Sequence, residues 1–101
     1  MMGDCWVVIV QLPPSEPAST EMLELVLAGA SLDLDLTVVF RGAGVAHVAE
    51  DPFRPWRQLI DHSLATVLVE SGAARLPEGA LSCSAAEIDA LVRGARAVLV
   101  L

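Results

Sequence analysis

Short apolar runs alternate with segments of helical spacing along the chain, and this pattern predicts its secondary structure. Continuous runs rich in β-branched residues predict five strands, at residues 5–11, 34–40, 64–69, 80–83 and 97–101. Apolar side chains at helical spacing, with Glu21 and Glu24 on the opposite side, predict a helix over residues 20–30. A short helix is predicted at 56–62 with Pro55 in its first turn, and a loop at 71–79.

A further helix is predicted before the last strand. The sequence Ser84-Ala-Ala-Glu87 fits a capping box. In this motif the serine side chain accepts a hydrogen bond from a free backbone amide of the first turn, and the glutamate side chain reaches back to the serine amide. An apolar stripe follows at helical spacing, and Gly94 helps to end the helix. The stripe consists of Ile88, Leu91, Val92 and Ala95.

Strands and helices therefore alternate through most of the chain. Apolar runs without polar alternation are typical of strands buried on both faces, as in a parallel sheet. Parallel strands need crossover connections, which are usually helical. The predicted fold is a three-layer α/β sandwich of about five mostly parallel strands with helices on both faces, a single domain over residues 1–101.

Composition narrows the classes of partner. The net charge is −7, lysine is absent and the six arginines are scattered, so we expect no direct nucleic-acid binding. Apolar residues make up 54% of the chain, which favours an apolar surface shared with another subunit. No apolar run approaches the ~20 residues that span a bilayer, and the first residues lack a basic segment. We expect a cytoplasmic protein without a membrane partner.

The glycines of "TVVFRGAGVAHVAED" (37–51) raise the question of a phosphate site. Gly42 and Gly44 begin a G-x-G-x-x-H sequence, which lacks the third small residue of a dinucleotide fingerprint and follows the second strand. One interpretation is a small-ligand or nucleotide site at Gly42 and Gly44. The other, which we favour, is a tight turn between a strand and the next helix.

Cys83 is the candidate catalytic residue. It ends a strand directly before a capped helix, where free amides and the helix dipole would lower the pKa of a thiol. The alternative is a small buried side chain. Cys5 begins the first strand, at the end of the sheet opposite to most α/β sites, and we interpret it as structural. The distance between the two cysteines along the chain does not indicate a disulfide framework.

The remaining candidates carry weaker signals. Phe53 and Trp56 form a proline-bracketed aromatic patch, which is typical of an interface anchor, although a lid packed over the sheet explains it equally well. His47 lies near Glu50 and Asp51 and is interpreted as a surface group. Neither His47 nor His62 has ligand partners at metal spacing, so no metal and no cofactor are predicted.

Three stretches of the chain resemble the DsrE/DsrF family, and most closely its TusC/DsrF-type sulfur-relay subunits. They are "DLTVVFRGAGVAHVAED" (35–51), "LATVLVESGAARLPEGA" (64–80) and "SAAEIDALVRGARAVLVL" (84–101). The resemblance implies a flavodoxin-like α/β fold and oligomers, either of this chain alone or with DsrE/DsrH-like (TusD/TusB-like) chains. It also places the persulfide cysteine of catalytic relatives at residues 69–71, where this sequence has no cysteine. Ala43 stands where TusC-like relatives tend to be acidic.

These observations leave three hypotheses. The first is a non-catalytic or accessory subunit of intracellular sulfur transfer, in tRNA thiolation or sulfur oxidation, that works mainly through oligomer assembly. The second is a sulfurtransferase that uses Cys83, because a relay needs an accessible thiolate of low pKa. The third is a ligand-binding module that uses Gly42 and Gly44.

Overall fold

A five-stranded parallel sheet organises the molecule. The computed structural model describes residues 5–32, 35–71 and 76–101. Within these residues the strands lie side by side in the order β4-β3-β2-β1-β5, and every neighbouring pair is parallel. The strands are β1 (Cys5–Val10), β2 (Asp35–Phe40), β3 (Ala65–Glu70), β4 (Leu81–Cys83) and β5 (Ala97–Val100).

Helices connect most of these strands, as parallel pairing requires. The first connection is α1 (Ser19–Ser31), and the last is α4 (Ala85–Gly94). The capping box predicted for α4 is confirmed: the Glu87 amide donates to Ser84 Oγ at 3.1 Å, and the Ser84 amide donates to Glu87 Oε1 at 3.0 Å. Residue 34 of the predicted second strand and residues 72–75 of the predicted loop lie outside the described residues.

The connection between β2 and β3 differs from the prediction. A 3-10 helix at Gly42–Val48 is followed by α2 (Glu50–Phe53), a second 3-10 turn at Arg54–Arg57 and α3 (Gln58–Asp61). The helix predicted at 56–62 is therefore split between a 3-10 turn and a short α-helix. Pro55, at the start of the 3-10 turn, has no amide hydrogen, which interrupts the helical ladder between α2 and that turn.

The order of the strands places the helices on two faces. Strands β1 to β4 follow one another toward one edge of the sheet, and β5 then pairs with the other side of β1. Because such crossovers are right-handed, α4 crosses the opposite face from α1. The packing agrees: Val8 and Val38 lie in one core with Val26 of α1, and Val7 and Val39 lie in a second core with Ile88 of α4. The predicted three-layer α/β architecture is confirmed.

The described residues were also searched for membrane-spanning segments. Among them, no helix combines the length and the apolar character that a bilayer crossing needs.

Candidate functional site

The carboxyl ends of β2, β3 and β4 bring polar side chains together at one edge of the sheet. Phe40 pairs with Val69, and Glu70 pairs with Cys83, so Arg41, Glu70 and Cys83 end neighbouring strands. This is the edge at which parallel α/β sheets usually form their sites. We call the cluster of Arg41, Gly42, Glu70 and Asp89 the carboxyl-edge cluster.

An ion pair forms the centre of the carboxyl-edge cluster. Arg41 Nε donates to Glu70 Oε2 at 3.1 Å, and the Gly42 amide donates to Glu70 Oε1 at 3.1 Å. A second carboxylate is close, with Arg41 Nη1 3.7 Å from Asp89 Oδ1. The Arg41 and Glu70 side chains are 28% and 25% exposed, so the pair is largely shielded while Asp89 is open to solvent.

Gly42 and Gly44 have structural roles in the turn beside this pair. Gly42 has a φ of +58°, a conformation that glycine adopts without steric cost. A Cβ on Gly44 would lie 1.9 Å from the carbonyl oxygen of Val10, so only glycine fits against β1 there. The Gly42 amide already donates to an internal carboxylate, and Glu70 and Asp89 would both repel a phosphate. These contacts favour the turn over the nucleotide site.

The predicted low pKa of Cys83 is wrong in direction. Its side chain is only 7% exposed and packs with Ile88 in the second core. Burial, and secondarily the charge of Glu87, raise the pKa of the Cys83 thiol above its ordinary value. The first turn of α4 does not offset this rise in the pKa, because the amides of Ser84 and Glu87 already donate hydrogen bonds within the capping box.

Backbone contacts fix the position of Cys83 further. The Cys83 carbonyl oxygen accepts two hydrogen bonds, one from the Ser71 amide at 2.8 Å and one from Ser71 Oγ at 3.1 Å. Cys5 lies at the other end of the sheet, with its Sγ 3.4 Å from Thr37 Oγ1. Both cysteines are free thiols. Cys83 therefore borders the carboxyl-edge cluster as a buried, protonated side chain, and Cys5 is remote from it.

Phe53 and Trp56 do not form the predicted interface patch. They are 3% and 2% exposed and pack in the first core. Phe40 is the centre of their cluster, with ring centroids 5.1 Å from Trp56 and 6.2 Å from Phe53. These aromatic side chains stabilise the core and are not available as surface anchors.

His47 belongs to the same cluster, and its interpretation as a surface group is also wrong. Trp56 Nε1 donates to His47 Nδ1 at 3.2 Å, which leaves His47 Nε2 to donate to the Leu12 carbonyl at 2.7 Å. Burial lowers the pKa of His47, although the bond to Leu12 acts in the opposite direction. The ring is a neutral link between the core and the segment after β1.

The described residues offer two further points about binding. They contain no group of three or more His, Cys, Asp or Glu side chains arranged to hold a metal ion. An open groove of about 510 Å³ lies at the opposite, amino-terminal edge of the sheet, lined by residues that include Asp35, Ser63, Thr66 and Gly79. This groove is remote from Cys83 and from the carboxyl-edge cluster, and Asp35 is its only charged lining residue among those described.

Sequence reasoning missed the pairing of Arg41 with Glu70. The available signal was that each charged residue directly follows or ends a buried strand, and that the two strands are consecutive. In a parallel sheet, consecutive strands are often neighbours, and their carboxyl ends then meet.

Comparison with known proteins identifies the fold. No family model matches the chain, and no curated protein matches its sequence. Among solved structures, the chain is similar to the crystal structure of the ychN protein from E. coli, with a TM-score of 0.78 at 16% sequence identity. The match covers 99% of this chain and 100% of that one. The molecule therefore shares the flavodoxin-like α/β fold of that structure.

Proposed function

We propose that this protein is an accessory, non-catalytic subunit of intracellular sulfur transfer, similar to TusC/DsrF-type chains, and that it acts by assembly with a sulfur-carrying partner. The observation that carries the proposal is the chemistry at the end of β3. By the resemblance, catalytic relatives have their persulfide cysteine there, and this chain has Glu70 held by Arg41 and the Gly42 amide. A carboxylate in this position cannot form a persulfide.

The setting of Cys83 supports the same proposal. Sulfur transfer requires a thiolate that reaches a donor persulfide and then releases the sulfur. Cys83 is buried and its pKa is raised, so at neutral pH it is a protonated thiol without access to a donor. These properties count against the alternative of a Cys83-dependent sulfurtransferase.

Mass spectrometry after treatment with glutathione persulfide separates the two hypotheses. We expect the folded protein to gain no sulfur atom on Cys83, and the same thiol to react once urea has unfolded the chain. Cys83→Ser and Cys5→Ser, compared in parallel, assign any added sulfur to one cysteine. Stable uptake on Cys83 of the folded protein, followed by delivery to an acceptor thiol, would overturn the accessory role.

The assembly part of the proposal needs its own measurement. A tagged copy is purified from the cells that produce the protein, and light scattering gives the mass of the complex. We expect co-purification with a DsrE- or DsrH-like chain that carries a persulfide on a cysteine. A strictly monomeric protein without such a chain would contradict the proposal.

A further inference from the structure

The outer side of α1 carries an exposed apolar stripe. Leu25 and Leu32 are 52% and 74% exposed, and Ala28 lies between them in sequence and is also exposed. The opposite side of the helix packs on the sheet through Met22, Val26 and Ala30. The spacing of three and four residues places Leu25 and Ala28 on one side of α1 and brings Leu32, the residue directly after the helix, into line with them, a pattern that fits against another helix. We call these three residues the α1 stripe.

Acidic side chains accompany the α1 stripe. Glu21 and Glu24 are exposed on the same helix, and Glu16 is exposed in the segment before it. The first arginine of the sequence is Arg41, so residues 1–40 carry negative charges without a single basic side chain. All six arginines, by contrast, occur in the remainder of the chain.

We infer that the α1 stripe binds a basic amphipathic helix of another protein. The inference rests on the proposed assembly role and names the surface and the kind of partner that it uses. Leucines of the partner helix would cover Leu25, Ala28 and Leu32, and its lysines or arginines would pair with Glu21, one turn before Leu25 on the same side of α1, and with Glu24 beside the stripe.

Charge selects this partner over a second copy packed through its own α1. Two α1 helices packed on each other would bring together acidic helices that have no basic side chain to compensate them. An anionic lipid surface would be repelled by the same glutamates. A helix with apolar and basic sides complements both features of α1.

Binding of a synthetic peptide tests the inference. The probe is a fluorescein-labelled helical peptide with leucines at heptad positions a and d and lysines at e and g, and fluorescence anisotropy measures its affinity for the intact protein. We expect Leu25→Glu and Leu32→Glu to weaken binding by about tenfold or more, because each removes an apolar contact. Added salt weakens binding to the unaltered chain.

Two controls make the result specific. Leu81→Glu changes an equally exposed leucine, at 59%, on β4, and is expected to leave the affinity unchanged. A peptide with glutamates in place of the lysines is expected not to bind. Leu25→Ala provides a second test at that position if the glutamate variant loses its helical circular dichroism.

The sign of the effect separates a docked helix from simple charge attraction. Leu25→Glu makes the surface more acidic, so non-specific attraction of the lysine peptide predicts tighter binding, and that result would overturn the inference. Equal binding by the Leu25 and Leu81 variants would also overturn it, as would sedimentation showing self-association that Leu25→Glu abolishes. None of these results involves Cys83, so this inference and the proposed function can fail separately.

Discussion

Two polar networks involve residues of the connection that follows β2, one at Arg41 and one at His47, and they differ in how much solvent reaches them. His47 is 2% exposed, and both of its ring nitrogens are engaged by Trp56 and Leu12 inside the first core. Arg41 and Glu70 pair at the edge of the sheet, where about a quarter of each side chain meets solvent. Burial therefore makes the first network important for stability, while solvent weakens the contribution of the second.

The turn between the two networks gives the largest predicted effect. Gly44→Ala places a Cβ against the backbone carbonyl of Val10, and backbone cannot move aside as a flexible side chain can. We expect the free energy of unfolding to fall by about 3 kcal/mol or more, measured by urea denaturation. Gly94→Ala is the matched control: its Cβ would meet nothing within 4 Å, and the better helix former should stabilise by up to about 1 kcal/mol. Similar losses for both variants would refute the packing role of Gly44.

Trp56→Phe tests the buried network. The change removes the donor to His47 Nδ1 and leaves a small cavity beside Phe40. We expect a loss of about 2 kcal/mol in the free energy of unfolding, again from urea titration. Trp6→Phe replaces the half-buried tryptophan of β1 and should cost less. A larger loss at Trp6 would show that the Trp56–His47 contact contributes little.

The pH dependence of stability comes next in size. Because the folded-state pKa of His47 is lowered, the unfolded chain binds more protons below the ordinary value of about 6.5. The contribution of His47 to stability is thus complete above pH 6.5 and decreases as the pH falls toward the lowered pKa. Urea titrations between pH 7.5 and 5 measure the slope, and His47→Gln should reduce it. His62→Gln, at an exposed position, is the control; an unchanged slope in His47→Gln would contradict the assignment.

The carboxyl-edge cluster gives the smallest predicted effect on stability. Glu70→Gln and Arg41→Ala each remove the ion pair, and their double-mutant cycle isolates its energy. We expect a coupling of less than about 1 kcal/mol that declines in 1 M salt, since the pair is partly exposed. A coupling as large as the effect of Trp56→Phe would mean that the two networks do not differ as their burial indicates.

The fold was predictable because each strand and the two longest helices carry a strong local signal. The run Trp6–Val10 has no polar interruption, and Ser84 with Glu87 marks the start of α4 unambiguously. The connection 42–61 was less predictable, because prolines and glycines divide it into short turns whose geometry depends on what they pack against.

The site was harder to predict for a physical reason. The pKa of Cys83 depends on how deeply α4 and the sheet bury it, and a helix start in the sequence reports only the favourable dipole. Phe53 and Trp56 have the composition of a surface patch, but their burial follows from the three-dimensional path of the connection around Phe40. The pairing of Arg41 with Glu70 required knowing that β2 and β3 are adjacent.

The place of β5 beside β1 has a consequence for how the chain is made. β1 leaves the ribosome before the other described strands, yet one of its two edges pairs with residues 97–100. During synthesis that edge therefore waits unpaired, with apolar side chains on both of its faces, until nearly all of the described chain has emerged. Completion of the sheet is a late, non-local step, and an exposed strand edge is the part of a nascent chain most open to incorrect pairing.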